Sequence, residues 1–330
     1  MLAGKVTVVT GASAGVGRAI VRALGEQGAR VGLVARGTDG LEAAAREVRE
    51  AGGEALVLPL DVADAAAVEA AADRVVAEWG AIDVWVNDAM VSVFAPVVET
   101  TPAEFRRVTE VTYLGTVHGT LAALKHMRPR NAGTIVQIGS ALAYRSIPLQ
   151  SAYCAAKAAM RGFTDSLRCE LAHDRSGVKV VAVHLPAVNT PQFEVVRSRL
   201  PGHPKPVPPI FQPELMAEAV LDAIERPSRE RWVAWPTVKA ILGQKLVPGL
   251  LDRYLGRMGY GAQQAKELRH RHRDSVDAPL PGDRGARGEF DGEARSRSLL
   301  VWLRRHRTGA AAALAAGLLA ALGLGAARRA

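Results

Sequence analysis

Six short apolar runs recur through the first 185 residues: VTVVT (6–10), VGLVA (31–35), ALVLPL (55–60), DVWVN (83–87), TIVQIG (134–139) and KVVAVHL (179–185). Stretches with helical apolar spacing lie between them, at about 15–27, 39–51, 64–78, 103–128 and 151–173. Runs that are apolar on both faces need cover on both sides of a sheet. Their alternation with helices predicts an α/β fold: a doubly wound parallel sheet with helices on both faces and right-handed crossovers. Ligands of such a sheet bind at the carboxyl ends of its strands.

The texture changes after residue 187. Residues 188–213 are proline-rich with scattered apolar side chains. A helix over 214–225, a short strand RWVAW (231–235) and an apolar helical stretch (238–258) follow. Residues 1–258 are therefore expected to form the main domain. Residues 259–298, rich in Gly, Arg, Asp and Ser from 274 on, read as a polar flexible linker to a tail at 299–330. Within the tail, 309–327 is nineteen residues without a charge, preceded by Arg304, Arg305 and Arg307 and followed by Arg328 and Arg329. That length approaches a bilayer crossing, although alanine and glycine are only marginally apolar. The expectation is a membrane anchor with the main domain on the cytoplasmic side, because more positive charge precedes the segment than follows it. The alternatives are an Ala-rich helix packed on a partner and a disordered tail. The first strand begins so near residue 1 that a targeting segment is not expected before it.

Charge and cysteines narrow the classes of function. The formal charge is +9, but residues 252–330 hold 15 Lys/Arg against 8 Asp/Glu, leaving only +2 for 1–251. Aromatic residues are few and are not interleaved with basic ones, so no nucleic-acid surface is expected. Cys154 and Cys169 fall in one expected helix, about 22 Å apart, beyond disulfide reach. No Cys/His cluster has metal-ligand spacing, so no metal is expected.

Two stretches carry chemistry. In VTGASAGVGRAI, Gly11, Gly15 and Gly17 stand between a strand and a helix start. Glycine permits a sharp turn and a close backbone approach. The helix start offers free N–H groups and a positive dipole end to a phosphate. In SAYCAAKAAM, Tyr153 and Lys157 lie one helical turn apart on one face.

Together these stretches resemble the short-chain dehydrogenases/reductases. The T-G-x-x-x-G-x-G loop of that family is matched by Thr10, Gly11, Gly15 and Gly17, and its Y-x-x-x-K by Tyr153 and Lys157. Its strand-end serine is matched by Ser140 in QIGSALAY, thirteen residues before the tyrosine. The likeness spans about residues 4–255. It implies a Rossmann-type domain and a nicotinamide cofactor held by the loop, with Ser13 and Val16 included. It also implies Asp61-Val62 at the adenine, Asn87 and Ala89 after the fourth strand, and Pro186 and Thr190 at the nicotinamide. Tyr153 is implied as proton donor or acceptor, with Lys157 lowering its pKa and Ser140 bonding the substrate oxygen. Where an acid after the second strand would repel a 2′-phosphate, this chain has Ala35 and then Arg36, which favours NADP(H) over NAD(H). The resemblance also implies a homodimer or homotetramer built on the 103–128 and 151–173 helices.

Three positions depart from the family pattern. Met90 stands where N-N-A-G has its glycine, Ala187 replaces the glycine after Pro186, and Thr112 fills the slot of an asparagine that supports a proton relay. His118 reads as a packing or interface residue. Residues 188–225 are expected to close the substrate pocket, with Phe193 and Phe211 in an apolar lid together with Val195, Val196, Leu200 and Ile210. The expected reaction moves hydride between NADP(H) and a carbonyl or secondary alcohol on a lipophilic substrate. The alternatives are a membrane-associated cofactor-binding scaffold or sensor with little catalysis, and a non-redox isomerase or epimerase on the same fold.

Overall fold

The computed structural model describes residues 2–268 and 273–306. In chain order the first half runs β1 (Val6–Thr10), α1 (Gly15–Gly25), β2 (Arg30–Ala35), α2 (Thr38–Glu50), β3 (Glu54–Pro59), α3 (Ala65–Trp79), β4 (Val84–Asn87) and β5 (Val93–Phe94). Next come α4 (Pro102–Thr109), α5 (Gly115–Met127), β6 (Thr134–Ser140), α6 (Ser151–His173) and β7 (Lys179–Leu185). The remainder comprises α7 (Gln192–Val195), β8 (Arg197–Ser198), β9 (Gly202–Pro204), α8 (Pro213–Glu225), β10 (Glu230–Trp232), α9 (Ala234–Leu246), α10 (Pro248–Met258), β11 (Gln264–Leu268) and α11 (Leu299–Arg305).

The central sheet has seven parallel strands in the order β10-β7-β6-β4-β1-β2-β3. All five residues of β1 are buried, as a strand covered on both faces requires. One apolar cluster packs α1, α2 and α8 on one face of the sheet; a second packs α3, α5 and α6 on the other. The strand order reverses between β1 and β4, so the crevice outside their carboxyl ends is where a doubly wound sheet receives its ligand.

Local chemistry breaks two of the expected helices. The 103–128 stretch divides at a π-helical turn, Glu110–Leu114, between α4 and α5. Such turns sit inside otherwise regular helices, often at functional sites. The 238–258 stretch divides at Val247, which has φ −139° and ψ 54°. Pro248 disfavours the helical region for the residue before it.

The polar stretch expected to be a flexible linker takes little regular structure between residues 273 and 298, yet it is packed against the domain. Val276 and Phe290 are buried. Arg18 pairs with Asp283, Arg197 with Asp274 and Asp277, and Arg287 with Glu214. Composition suggested mobility because the stretch is rich in charge; those charges meet partners on the domain. Among the described residues no helix is long and apolar enough to cross a membrane. The expected anchor, 309–327, lies outside them.

Candidate active site

A cavity of about 560 Å³ opens at the strand-order reversal. The glycine loop forms its floor. Gly11 (φ +76°) and Gly15 (φ +62°) are left-handed, a conformation glycine adopts without strain. A Cβ on Gly17 would lie 2.3 Å from the Gly11 oxygen, so the turn and α1 can approach only without one. Ala14 at the start of α1 offers no side-chain cap. The first N–H groups of the helix therefore look outward for partners. The Gly15 N–H reaches the Gly285 carbonyl at 3.0 Å, and the Gly17 N–H reaches the Asp88 carboxylate.

Thr10 and Asn87 shape the cavity from behind its wall. The Thr10 hydroxyl donates to Val86 O at 3.4 Å and accepts from the Asp88 and Ala89 N–H groups at 3.1 and 3.2 Å, tying β1 to the end of β4. The Asn87 amide donates to Thr120 and to Gln137 and accepts from the Trp85 ring N–H at 2.8 Å. Those bonds commit the buried Asn87 side chain to the sheet interior. Ser13, Val16, Ala89, Pro186 and Thr190 line the cavity, as do Asp61 and Val62.

Ser140, Tyr153 and Lys157 converge on the same space. Ser140 ends β6, and its Oγ accepts from Leu142 N at 3.1 Å. It is also hydrogen-bonded to the Tyr153 hydroxyl. Lys157 is buried one turn along α6; its Nζ donates to Ile138 O at 2.6 Å and stands 5.8 Å from the Tyr153 ring centre. Burial dominates the electrostatics. It pushes the Tyr153 phenol well above its usual range, against the Ser140 hydrogen bond, and lowers the Lys157 ammonium to about 8.

Asp88, not foreseen as a site residue, is the third titratable group. Burial raises its carboxyl to about 7, offset in part by Lys157 and the Gly17 N–H. The signal was present in the chain: an acid stands directly after a wholly buried strand, facing a glycine loop.

Arg36 lies at the far corner, where its guanidinium donates to the carbonyls of Ser275 and, at 3.1 Å, of Val276. Arg107 donates to the same Val276 oxygen at 3.1 Å and pairs with Asp61. Burial would raise the Asp61 carboxyl, but the Ala63 N–H and Arg107 hold it below its usual range. Burial and the neighbouring Arg107 likewise lower the Arg36 guanidinium. Arg107 was not foreseen, because α4 brings it back to this corner from 46 residues beyond Asp61.

Thr112 sits in the π-helical turn. Its hydroxyl donates to Val91 O at 3.0 Å and accepts from Val91 N at 3.1 Å. Its single proton is thus committed to fixing the chain after β4. His118 Nδ1 likewise bonds Val62 O at 2.9 Å.

The lid divides into two groups. Phe193 and Val195 face the cavity, and Phe193 makes edge contacts with Phe94 and Phe290. Val196, Leu200 and Ile210 join a small buried cluster with Leu149. Phe211 packs in the main core, and its backbone bonds Ala187 and Asn189. The opposite wall was not foreseen: Pro236, Thr237 and Ala240 come from α9, and Leu251, Tyr254 and Leu255 from α10.

The uncapped helix start, the glycine cradle and the Arg36–Arg107 corner fit a dinucleotide with phosphate groups. The comparisons with known proteins agree with that chemistry. The family profile described as short chain dehydrogenase matches residues 5–200. The chain is 32% identical over 320 residues to the uncharacterized oxidoreductase YxnA of Bacillus subtilis, spanning 96% of this chain and 89% of that one. It is 41% identical over 168 residues to the human dehydrogenase/reductase SDR family member 7, half of each chain. An alcohol dehydrogenase from the archaeon Thermococcus sibiricus, complexed with 5-hydroxy-NADP, superposes with a TM-score of 0.60 at 31% identity, covering 69% of this chain and 94% of its own. A metagenomic short-chain oxidoreductase in complex with NADP does so with a TM-score of 0.59 at 32% identity, covering 69% and 96%. This chain therefore belongs to the short-chain dehydrogenase/reductase family, which is a family of oxidoreductases.

Proposed function

We propose that this chain is an NADP(H)-dependent oxidoreductase acting on the carbonyl or secondary alcohol of a lipophilic substrate. The observation that carries the reading is the convergence of Ser140, Tyr153 and Lys157 on a cavity floored by the glycine loop. The cofactor, when bound, supplies or accepts the hydride. The chain's residues do the rest. The glycine loop and the start of α1 hold the diphosphate. Asp61 and Val62 border the adenine, and Arg36 with Arg107 face the 2′-phosphate. Lys157 holds the ribose next to the nicotinamide, and Pro186 and Thr190 meet its amide.

Tyr153 gives its proton to the carbonyl oxygen or takes one from the alcohol. A phenol kept neutral by burial is in the right form to donate. Ser140 bonds the same oxygen and stabilises the charge that develops there. Thr112 acts through Val91, as a positioning residue. The apolar walls given by Phe193, Val195, Leu251 and Leu255 support a lipophilic substrate.

A screen of lipophilic ketones with NADPH, following absorbance at the nicotinamide band, tests the reading. Turnover lost on Tyr153→Phe with NADPH binding kept supports it. NADPH binding without turnover on any ketone, or with turnover unchanged in Tyr153→Phe, contradicts it.

A further inference from the structure

The helices that wall the cavity opposite the lid leave their outer face uncovered. In α10 no residue is buried, although the helix carries Leu250, Leu251, Tyr254, Leu255 and Met258. Leu250, Tyr254 and Met258 recur at every fourth position and are more than half exposed. Along α9, Trp235, Leu242 and Leu246 make the matching stripe, and Leu246 is 77% exposed. Val247 at the turn and Tyr260 beyond α10 extend the same face. A contiguous exposed apolar face on a folded domain marks an interaction surface.

Three further observations select its occupant. Lys239, Lys245, Arg253 and Arg257 are exposed among the apolar residues of 234–260, against one acid, Asp252, which is turned to Arg145. Large apolar and aromatic side chains interspersed with Lys and Arg make the pattern of an interfacial helix on anionic headgroups. The face borders the cavity, since Tyr254 lines the cavity and is 59% exposed. Finally, α11 packs against α9 with Leu299, Trp302 and Leu303 exposed, so the described chain ends beside this face, just before the uncharged residues 309–327.

We propose that the outer face of α9 and α10 lies on an anionic bilayer surface, with the cavity mouth opening onto the lipid. Leu246, Leu250 and Met258 enter the acyl boundary, the Lys and Arg side chains meet headgroups, and a membrane-dissolved substrate enters past Tyr254. The inference rests on the proposed redox function only in what it says of the substrate.

The test uses the full chain, with exposed Cys169 replaced by serine and Cys154 buried. An environment-sensitive fluorophore is placed at Leu250→Cys, or at Glu50→Cys on α2 as a control. Vesicles contain zwitterionic and anionic phospholipid in a 7:3 ratio, with and without spin-labelled acyl chains. The expected result is a blue shift and spin-label quenching at position 250 and neither at position 50. The full chain carrying Leu246→Glu and Leu250→Glu should bind the vesicles about tenfold more weakly, with NADPH affinity unchanged as proof of folding. An unquenched probe at 250 on vesicle-bound protein would overturn the proposal, because the tail alone would then hold the chain. A blue shift at 250 that needs no vesicles and grows with protein concentration would also overturn it, in favour of a second copy on this face. A chain that docks but never binds NADPH would sink the redox reading and leave this surface standing.

Discussion

Tyr153, Lys157 and Asp88 share one poorly solvated space, and each pKa moves toward its neutral form. Asp88 has a folded pKa above its unfolded value, so its carboxylate costs stability that is absent below the ordinary carboxylate range and full above about pH 7. Lys157 has a folded pKa below its unfolded value, so its ammonium costs stability below about pH 8, and that cost disappears as pH rises toward the ordinary lysine pKa. Asp88→Asn removes the first cost and leaves Lys157 without its nearest compensating charge. The melting temperature of the native chain should therefore fall relative to Asp88→Asn between pH 5 and pH 8; paired thermal melts across that range check it. Tyr153→Phe should lower turnover by about 10² to 10⁴ while the dissociation constant for NADPH stays within about threefold of the native one. The convergence of Ser140, Tyr153 and Lys157 on one cavity could be anticipated only through the resemblance to the family's motifs. The balance of their charges could not, because burial depends on what the rest of the fold brings near.

At the scale of elements, the π-helical turn at Glu110–Leu114 and the packed segment 273–298 decide how the cavity is held. Thr112 bonds both the N–H and the carbonyl of Val91. Thr112→Val keeps the shape and strips both bonds, so it should destabilise the fold by about 1–3 kcal/mol, read by denaturant unfolding. Thr112→Asn, which restores donor and acceptor, should recover part of that loss. The segment 273–298 sets its backbone against groups a dinucleotide uses: Gly285 O on the Gly15 N–H, and the Ser275 and Val276 carbonyls on Arg36. Burying the Val276 side chain contributes roughly 1.5–3 kcal/mol toward holding it there. Val276→Asp should loosen this contact and speed NADPH exchange severalfold, measured by stopped-flow displacement. The alternation of strands and helices was readable from apolar periodicity. This segment was not, since it packs through ion pairs and two isolated apolar residues that form no periodic pattern.

On the scale of the whole molecule, a dinucleotide site at the sheet's reversal point continues into an apolar cavity whose far wall is an exposed, basic helical pair. The sheet and the glycine loop could be anticipated, because each rests on local pattern. The Arg36–Arg107 corner and the α9–α10 wall join residues far apart in sequence, which no local pattern records. We propose that Arg36 is the residue through which this site selects NADP(H). Titration of the full chain with NADPH and with NADH, following nicotinamide fluorescence, tests it most directly. NADPH should bind at least about tenfold more tightly than NADH, a gap of about 1.4 kcal/mol. Arg36→Ala should close most of that gap. Equal affinities in the native chain, or a preference unchanged in Arg36→Ala, would contradict it.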